Sequence, residues 1–332
     1  MSSASGRQLS EIRSILIIKP SSLGDIVHTL PAAALLRDAC PEADITWVIN
    51  PEWAPLLRGN RSIDHVHIFP RSDLGRFGMW THLLPWLRET GRLQPDLALD
   101  FQGLLRSALI GKISHPREFW GMNDAREGAH LFYQHPAKVD RQAHAVERYL
   151  SLVASLGVPI VRPLRFPLPS GDEIGRFEED EPFILIHPFA RGASKSLSDL
   201  AVEEFCHALA PHRIVIVGRT KKKVPVPDNC MDLLNHTSIL QLIWLLRRSR
   251  FTISVDSGPM HIAAALTDRL LSIHTWSDPR KVGPYNDNAW VWKNGDLAQV
   301  RNLPLDAKRS RRRAFRTSDV KALLPLIHRH LD

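Results

Sequence analysis

The amino-acid sequence predicts an α/β protein of two Rossmann-like βαβ domains, and three observations carry that prediction. Runs such as Ser14-Ile15-Leu16-Ile17-Ile18 and Phe183-Ile184-Leu185-Ile186 are continuously apolar, as strands are when a parallel sheet buries both their faces. Stretches of helical periodicity separate these runs and can serve as crossovers. The order strand, polar loop, helix restarts after the proline-rich segment 161–169, which marks a domain boundary. At 332 residues the chain exceeds what one simple core supports and suits two domains.

The first strand, 14–18, feeds the polar loop Lys19-Pro20-Ser21-Ser22-Leu23-Gly24-Asp25 and a helix to about Ala39. Strands are expected at 45–49, 65–68 and 97–100, a helix over 104–113, and another around 143–156. The second domain opens with 183–186. It continues with helix 200–209, strand 214–218, helix 239–247, a strand ending at Val255, an alanine-rich helix to Leu266, and strand 270–275. The expected bounds are 1–165 and 166–310, followed by a basic segment and helix, 311–332, packing back on the first domain. Two such domains imply a cleft between them, and ligands of open parallel sheets bind beyond the carboxyl ends of the strands.

The composition is that of a soluble globular protein. The start of the chain is polar, and no run reaches the roughly 20 apolar residues of a membrane span, so a protein neither secreted nor integral is expected. Cys40, Cys206 and Cys230 form no ligand or redox motif and are expected to be reduced thiols in a cytosolic protein. There are 43 basic and 35 acidic residues, a net charge of +8, with clusters at Lys221-Lys222-Lys223 and Lys308-Arg309-Ser310-Arg311-Arg312-Arg313. This charge favours phosphates or acidic headgroups as partners. No aromatics interleave with the clusters, so nucleic acid is not expected.

Several familiar sites are missing. There is no G-x-G-x-x-G or P-loop pattern, no H-E-x-x-H, no G-x-S-x-G, and no D-x-D of the kind that holds a metal–diphosphate. His65 and His67 share one strand face but lack a nearby third ligand, so no metal site is expected.

The polar loops at strand ends remain. In Asp256-Ser257-Gly258-Pro259-Met260-His261, Ser257 is placed to cap a helix, Gly258 allows close backbone approach, and Pro259 occupies the first turn. The amides of Gly258, Met260 and His261 would then point from a positive helix end at a diphosphate. An ordinary capped connection fits the same local pattern equally well. Asp25 stands at a helix start as either a cap or a base. The loop His187-Pro188 to Arg191-Gly192-Ala193-Ser194-Lys195-Ser196 offers hydroxyls and a lysine able to meet phosphate as a point charge. Ser277-Asp278-Pro279-Arg280 and Gly283-Pro284-Tyr285 follow the last strand.

Ser22-Leu23-Gly24-Asp25-Ile26-Val27-His28-Thr29-Leu30-Pro31 resembles the amino-terminal motif of the ADP-heptose:lipopolysaccharide heptosyltransferases, glycosyltransferase family 9. Asp256 to Ala264 resembles their nucleotide-sugar motif, and Asp278-Pro279 with Gly283-Pro284-Tyr285 the segment that follows it. Asp100-Phe101-Gln102-Gly103-Leu104-Leu105-Arg106-Ser107-Ala108, Ala125-Arg126-Glu127, Leu131-Phe132-Tyr133 and His144-Ala145-Val146-Glu147-Arg148 are similar to the subgroup that adds the first heptose to the Kdo region.

The resemblance implies a GT-B fold, with acceptor bound mainly by the first domain and ADP-heptose by the second. It also implies inverting transfer with no metal and no cofactor beyond the donor substrate. By analogy Asp25 is the catalytic base. Ser194, Lys195, Asp256, Ser257, Gly258, Pro259 and His261 bind the donor; Ser22, Gly24, Arg106, Arg126 and His144 face a Kdo-lipid A-type anionic acceptor. An enzyme docked on the inner face of the cytoplasmic membrane follows.

Two departures from the family pattern bear on donor identity. The loop Gly218-Arg219-Thr220-Lys221-Lys222-Lys223 lacks the acidic residue that many relatives carry for the ribose, and Leu197 stands where the subgroup shows tryptophan. A family 9 transferase with another donor, or a GT-B nucleotide-sugar epimerase or hydrolase, are the alternatives.

Overall fold

The structure is a computed structural model and describes residues 9–71, 79–175, 177, 182–221, 227–304 and 313–331. The chain divides into two compact units, Met1–Pro169 and Ser170–Asp332. Lys222, Lys223 and Lys308 to Arg312 of the two basic clusters lie outside the described residues.

The first unit contains β1 (Ser14–Ile18), α1 (Leu23–Ala39), β2 (Asp44–Ile49), β3 (His65–Ile68), α2 (Met79–Arg92), β4 (Leu97–Asp100), α3 (Leu105–Ile113), β5 (Glu118–Met122), β6 (His135–Ala137) and α4 (Ala145–Ala154). Its parallel sheet runs β3-β2-β1-β4-β5-β6. Ile18 at the end of β1 faces Val48 on one side and Asp100 on the other. The strand order reverses between β1 and β4, so their following loops diverge there and leave room for a ligand. Leu16, Ile18, Ala98, Phe119 and Trp86 belong to one core cluster of this unit. Helix α1 is buried over most of its length, from Leu23 to Leu36 with only Asp25 more open. A helix buried nearly all round shows little amphipathic pattern.

The second unit contains β7 (Phe183–His187), α5 (Asp199–Ala208), β8 (Arg213–Gly218), β9 (Cys230–Leu234), α6 (Ile239–Arg248), β10 (Phe251–Val255), α7 (Gly258–Leu266), β11 (Leu270–His274), α8 (Pro279–Val282), β12 (Trp290–Lys293), β13 (Asp296–Gln299) and α9 (Thr317–Leu331). The sheet order is β13-β12-β11-β10-β7-β8-β9, parallel except for the β12–β13 pair. Here the order reverses between β7 and β10.

One expectation is corrected. Helix α9 was expected on the first domain, but Val320, Leu323, Leu326 and Ile327 enter the core of the second unit, where α9 packs against α5. Its apolar stripe completes the layer that covers this sheet's face.

The described elements also include several with a weak sequence signal. Helix α2 carries Pro85 and Gly91, β5 includes Gly121, and β6 has three residues. The β12–β13 hairpin did carry a signal. Asn294 and Gly295 form the turn with φ of 60° and 105°, the backbone that an Asn-Gly pair adopts between paired strands.

Candidate active site

At the first unit's reversal point, α1 begins with Ser22 as its N-cap. Both the Ser22 amide (3.1 Å) and hydroxyl (2.6 Å) donate to Asp25 Oδ2. Asp25 therefore helps to cap the helix, and its negative charge sits at the positive helix end. Its other oxygen, Oδ1, faces the Tyr149 hydroxyl of α4 at 3.4 Å. That hydroxyl accepts from Lys19 Nζ (2.9 Å), which also donates to Phe101 O (2.9 Å). Burial pushes the Lys19 ammonium below its ordinary value, while Asp25 and Asp100 pull it back up. Burial, then the charge of Asp25, pushes the Tyr149 phenol well above its ordinary value, so it keeps its proton at neutral pH.

The loop beyond β4 is held by Asp100, which is fully buried. Its Oδ1 accepts from the amides of Gln102 (2.8 Å) and Gly103 (3.0 Å), and its Oδ2 from Ser107 Oγ (2.8 Å) and Tyr133 Oη (2.7 Å). Burial raises the Asp100 carboxyl and these four hydrogen bonds oppose the rise. Gln102 Oε1 in turn accepts from the Ser21 amide (3.3 Å), tying the two diverging loops together. Gly103 has φ +66° and its carbonyl accepts from the Arg126 amide (2.8 Å).

In the second unit the β7 and β10 loops meet in an ion pair: Lys195 Nζ lies 2.6 Å from Asp256 Oδ2. Ser277 Oγ donates to the same oxygen (2.5 Å) and pairs with His274 Nδ1 (2.9 Å), whose Nε2 meets Ser272 Oγ (2.7 Å). With the Ser277 proton on Asp256, His274 must carry its proton on Nδ1 and accept from Ser272. Burial pushes His274 down to about 4, so the imidazole is neutral at pH 7. Burial also opposes ionisation of Asp256, but His274 and the hydrogen bonds from Lys195 and Ser277 hold its carboxyl below the usual range. Thr275 Oγ1 donates to Ser194 O (2.7 Å), fixing the 193–195 turn beside this network.

Two details of the Asp256 to His261 stretch differ from expectation. Ser257 is the N-cap residue of α7, yet its hydroxyl does not cap the helix. It donates to Val255 O (3.1 Å) and contacts His187 Nδ1 (3.1 Å), because the extended Ser257 backbone turns the side chain back along β10. The Met260 amide, expected to point at a ligand, donates instead to Ser257 O (3.1 Å) in a tight turn. Gly258 and Pro259 form the first turn of α7, and His261 is buried within it.

Other candidates are more scattered. Gly24 is buried in the first turn of α1, and Arg106 and Arg126 are exposed on α3 and on the loop beyond β5. His144 is the N-cap of α4: its Nδ1 accepts from the Val146 amide (3.2 Å), and its ring meets His28 of α1 edge-on at 5.1 Å. His65 pairs with Asp44 (3.1 Å) and His67 with Thr90 (2.8 Å), stacked on Trp86; among the described residues no cluster suited to a metal occurs. Asp278 caps α8 through the Arg280 amide (3.1 Å).

Sequence reasoning missed Lys19, Tyr149, His187 and His274. Lys19 carried one signal, a charge directly following a strand buried on both faces. Tyr149 carried none, since its partner is 124 residues away.

Residues 87–304 match the family described as Glycosyltransferase family 9 (heptosyltransferase). Lipopolysaccharide heptosyltransferase 1 of Salmonella typhimurium (strain LT2) is 27% identical over 301 residues, 82% of this chain and 92% of that one. Lipooligosaccharide heptosyltransferase 2 of Haemophilus influenzae (strain Rd) is 26% identical over 323 residues, covering 86% and 91%. The solved structure of E. coli heptosyltransferase WaaC with ADP superposes with TM-score 0.75 at 23% identity, covering 96% of this chain and 99% of that chain. At that identity the likeness shows the fold, which is GT-B.

Proposed function

Because the chain belongs to glycosyltransferase family 9, whose members are transferases, we propose that it moves heptose from ADP-heptose to the Kdo region of a lipopolysaccharide inner core, with inversion and without a metal. The observation that carries this reading is the tethered carboxylate of Asp25 at the reversal point of the first unit. An acceptor hydroxyl attacking an anomeric carbon loses its proton as the new bond forms, and a carboxylate kept ionised by a helix end can take it. The ADP leaving group gathers negative charge as the old bond breaks. Lys195 uses one ammonium proton on Asp256 and has two more to offer a diphosphate, with no rearrangement during the reaction. Asp256, held ionised, accepts hydroxyl protons from the sugar.

Support for an anionic, membrane-borne acceptor comes from the first unit. Arg106 and Arg126 are exposed cations beside the Asp100 loop, and a guanidinium binds a carboxylate in a fork. On α3 and the 129–132 turn, Leu105, Leu109 and Leu131 are 39%, 42% and 79% exposed among these cations, a composition suited to an acidic lipid surface. No described helix is long and apolar enough to cross a membrane.

The test is ADP release by the purified chain given ADP-heptose and Kdo-lipid A. No release beside an active control defeats the assignment. Release only with an acceptor that already carries one heptose reassigns the step, an outcome motivated by the relatives named heptosyltransferase 2.

A further inference from the structure

We propose that Lys19 is a positioning residue for Asp25 and acts through the Tyr149 hydroxyl. The inference rests on Asp25 being the base, and it concerns how that base is aimed. Lys19 is 2% exposed, directly after β1. Its backbone is pinned on both sides: its amide donates to Val48 O (3.3 Å) and its carbonyl accepts from Trp47 Nε1 (3.2 Å). The side chain therefore leaves a rigid strand end, and two of its ammonium protons go to Phe101 O and the Tyr149 oxygen, each at 2.9 Å.

A phenol whose oxygen accepts from an ammonium has its own proton left to direct, and the carboxylate partner at 3.4 Å is Asp25 Oδ1. Burial keeps that phenol protonated. Ser22 meanwhile holds Oδ2 with its amide and hydroxyl. Both carboxylate oxygens are thus tethered, one by the helix cap and one by the lysine–tyrosine pair, which fixes the plane of the carboxylate. A base held in one plane presents a defined lone pair to an incoming hydroxyl, and this preorganisation lowers the barrier for proton transfer.

The pair has a second effect. Lys19 places a buried positive charge near Asp25, and Tyr149 gives it a hydrogen bond; both favour the ionised carboxylate. Among the described residues, charged and titratable groups around this cluster include Asp100 of β4, Arg126 beyond β5, Arg148 and the capping His144 of α4, and His28 of α1. Arg148 and Arg126 oppose a charge on Lys19, whereas Asp100 and Asp25 sustain it.

The experiment uses the full chain and the variants Tyr149→Phe, Lys19→Met and the double variant. Two readouts are followed: transfer kinetics against pH, and titration of the Asp25 carboxyl by carbon NMR. Tyr149→Phe is expected to lower kcat about tenfold with little change in the donor KM. It should also move the Asp25 midpoint and the acid limb of the rate profile upward by about half a unit or more. Lys19→Met in the Tyr149→Phe background should lower the pH-independent kcat little further, since the positioning passes through Tyr149, while loss of the lysine charge still moves the Asp25 midpoint upward. An unmoved Asp25 midpoint in Tyr149→Phe overturns the proposal even if the chain transfers no heptose, because NMR needs no turnover. Additive losses of pH-independent kcat in the double variant overturn the route through Tyr149. Absence of transfer by the wild-type chain together with a shifted midpoint leaves the positioning intact and defeats the assigned reaction instead. Should Lys19→Met fail to fold, Tyr149→Phe alone still decides by its midpoint.

Discussion

Lys195 Nζ sits 2.6 Å from Asp256 Oδ2 and joins the loops after β7 and β10, where the second sheet reverses its strand order. The pair links a side chain that is 35% exposed to one that is 7% exposed, so the ammonium reaches solvent while the carboxylate stays inside. Replacing Lys195 by Met removes the cation offered to a diphosphate. ADP-sugar affinity is expected to fall roughly 10- to 100-fold, the range for a charge-assisted hydrogen bond. Calorimetric titration with ADP measures this, and an unchanged Kd refutes the phosphate role.

Asp25→Asn keeps an oxygen for the Ser22 amide and hydroxyl, so the start of α1 is preserved. Turnover is expected to drop by about 10²- to 10⁴-fold, the usual contribution of a general base, with ADP affinity within about twofold of wild type. Loss of thermal stability with retained turnover would instead make Asp25 a helix cap and nothing more.

His187 and His274 are buried and pushed down to about 4. An unfolded imidazole takes its proton near 6.5, so between 6.5 and 4 the unfolded chain binds more protons than the folded one. Stability is therefore complete above about pH 6.5, declines as pH falls, and levels off below 4. At pH 5 each residue accounts for a loss of about 2 kcal/mol as an upper value. Urea unfolding at pH 7 and pH 5 reads the loss, and His274→Asn should make it smaller by about the share of one histidine.

A Cβ at Gly121 would overlap the Tyr133 ring. Gly121→Ala must displace Tyr133 from its 2.7 Å hydrogen bond to Asp100, at a cost of about 1–3 kcal/mol in stability. Because Asp100 holds the amides of Gln102 and Gly103, the acceptor KM should rise with it. A melting curve together with acceptor kinetics checks both; a stable variant with wild-type kinetics contradicts the account of this loop.

His144 caps α4 through Nδ1, so His144→Ala should cost about 1 kcal/mol simply as a lost cap. His144→Asn keeps a capping side chain and removes the imidazole. A higher acceptor KM in the Asn variant, with its melting temperature preserved, identifies the ring as an acceptor contact. Wild-type KM restricts it to capping.

Much of the fold was legible because apolar strands buried on both faces and capped helices announce themselves within a few residues. The runs Ser14–Ile18 and Phe251–Val255 and the polar loops behind them are local patterns, set by hydrophobicity and backbone chemistry. Asp25 and Lys195 stood out as candidates within those loops, whereas Asp256 followed from the family resemblance. Ser257 was misread as a side-chain cap because its extended backbone and the nearby His187 draw its hydroxyl away, and neither is visible in a short pattern.

The amino-acid sequence by itself determined the two α/β units, the loops that carry polar side chains, and the helix starts that bias them toward negative charge. Tertiary structure alone decided strand order, and with it which loops become neighbours: β1 beside β4, and β7 beside β10. It also decided that Lys19, Tyr149 and Asp25 form one chain of contacts and that α9 closes the second core. The physical reason is range. Strand and cap propensities act over a few residues, whereas a part-buried hydrogen bond between α1 and α4 exists only after packing brings together residues 124 positions apart.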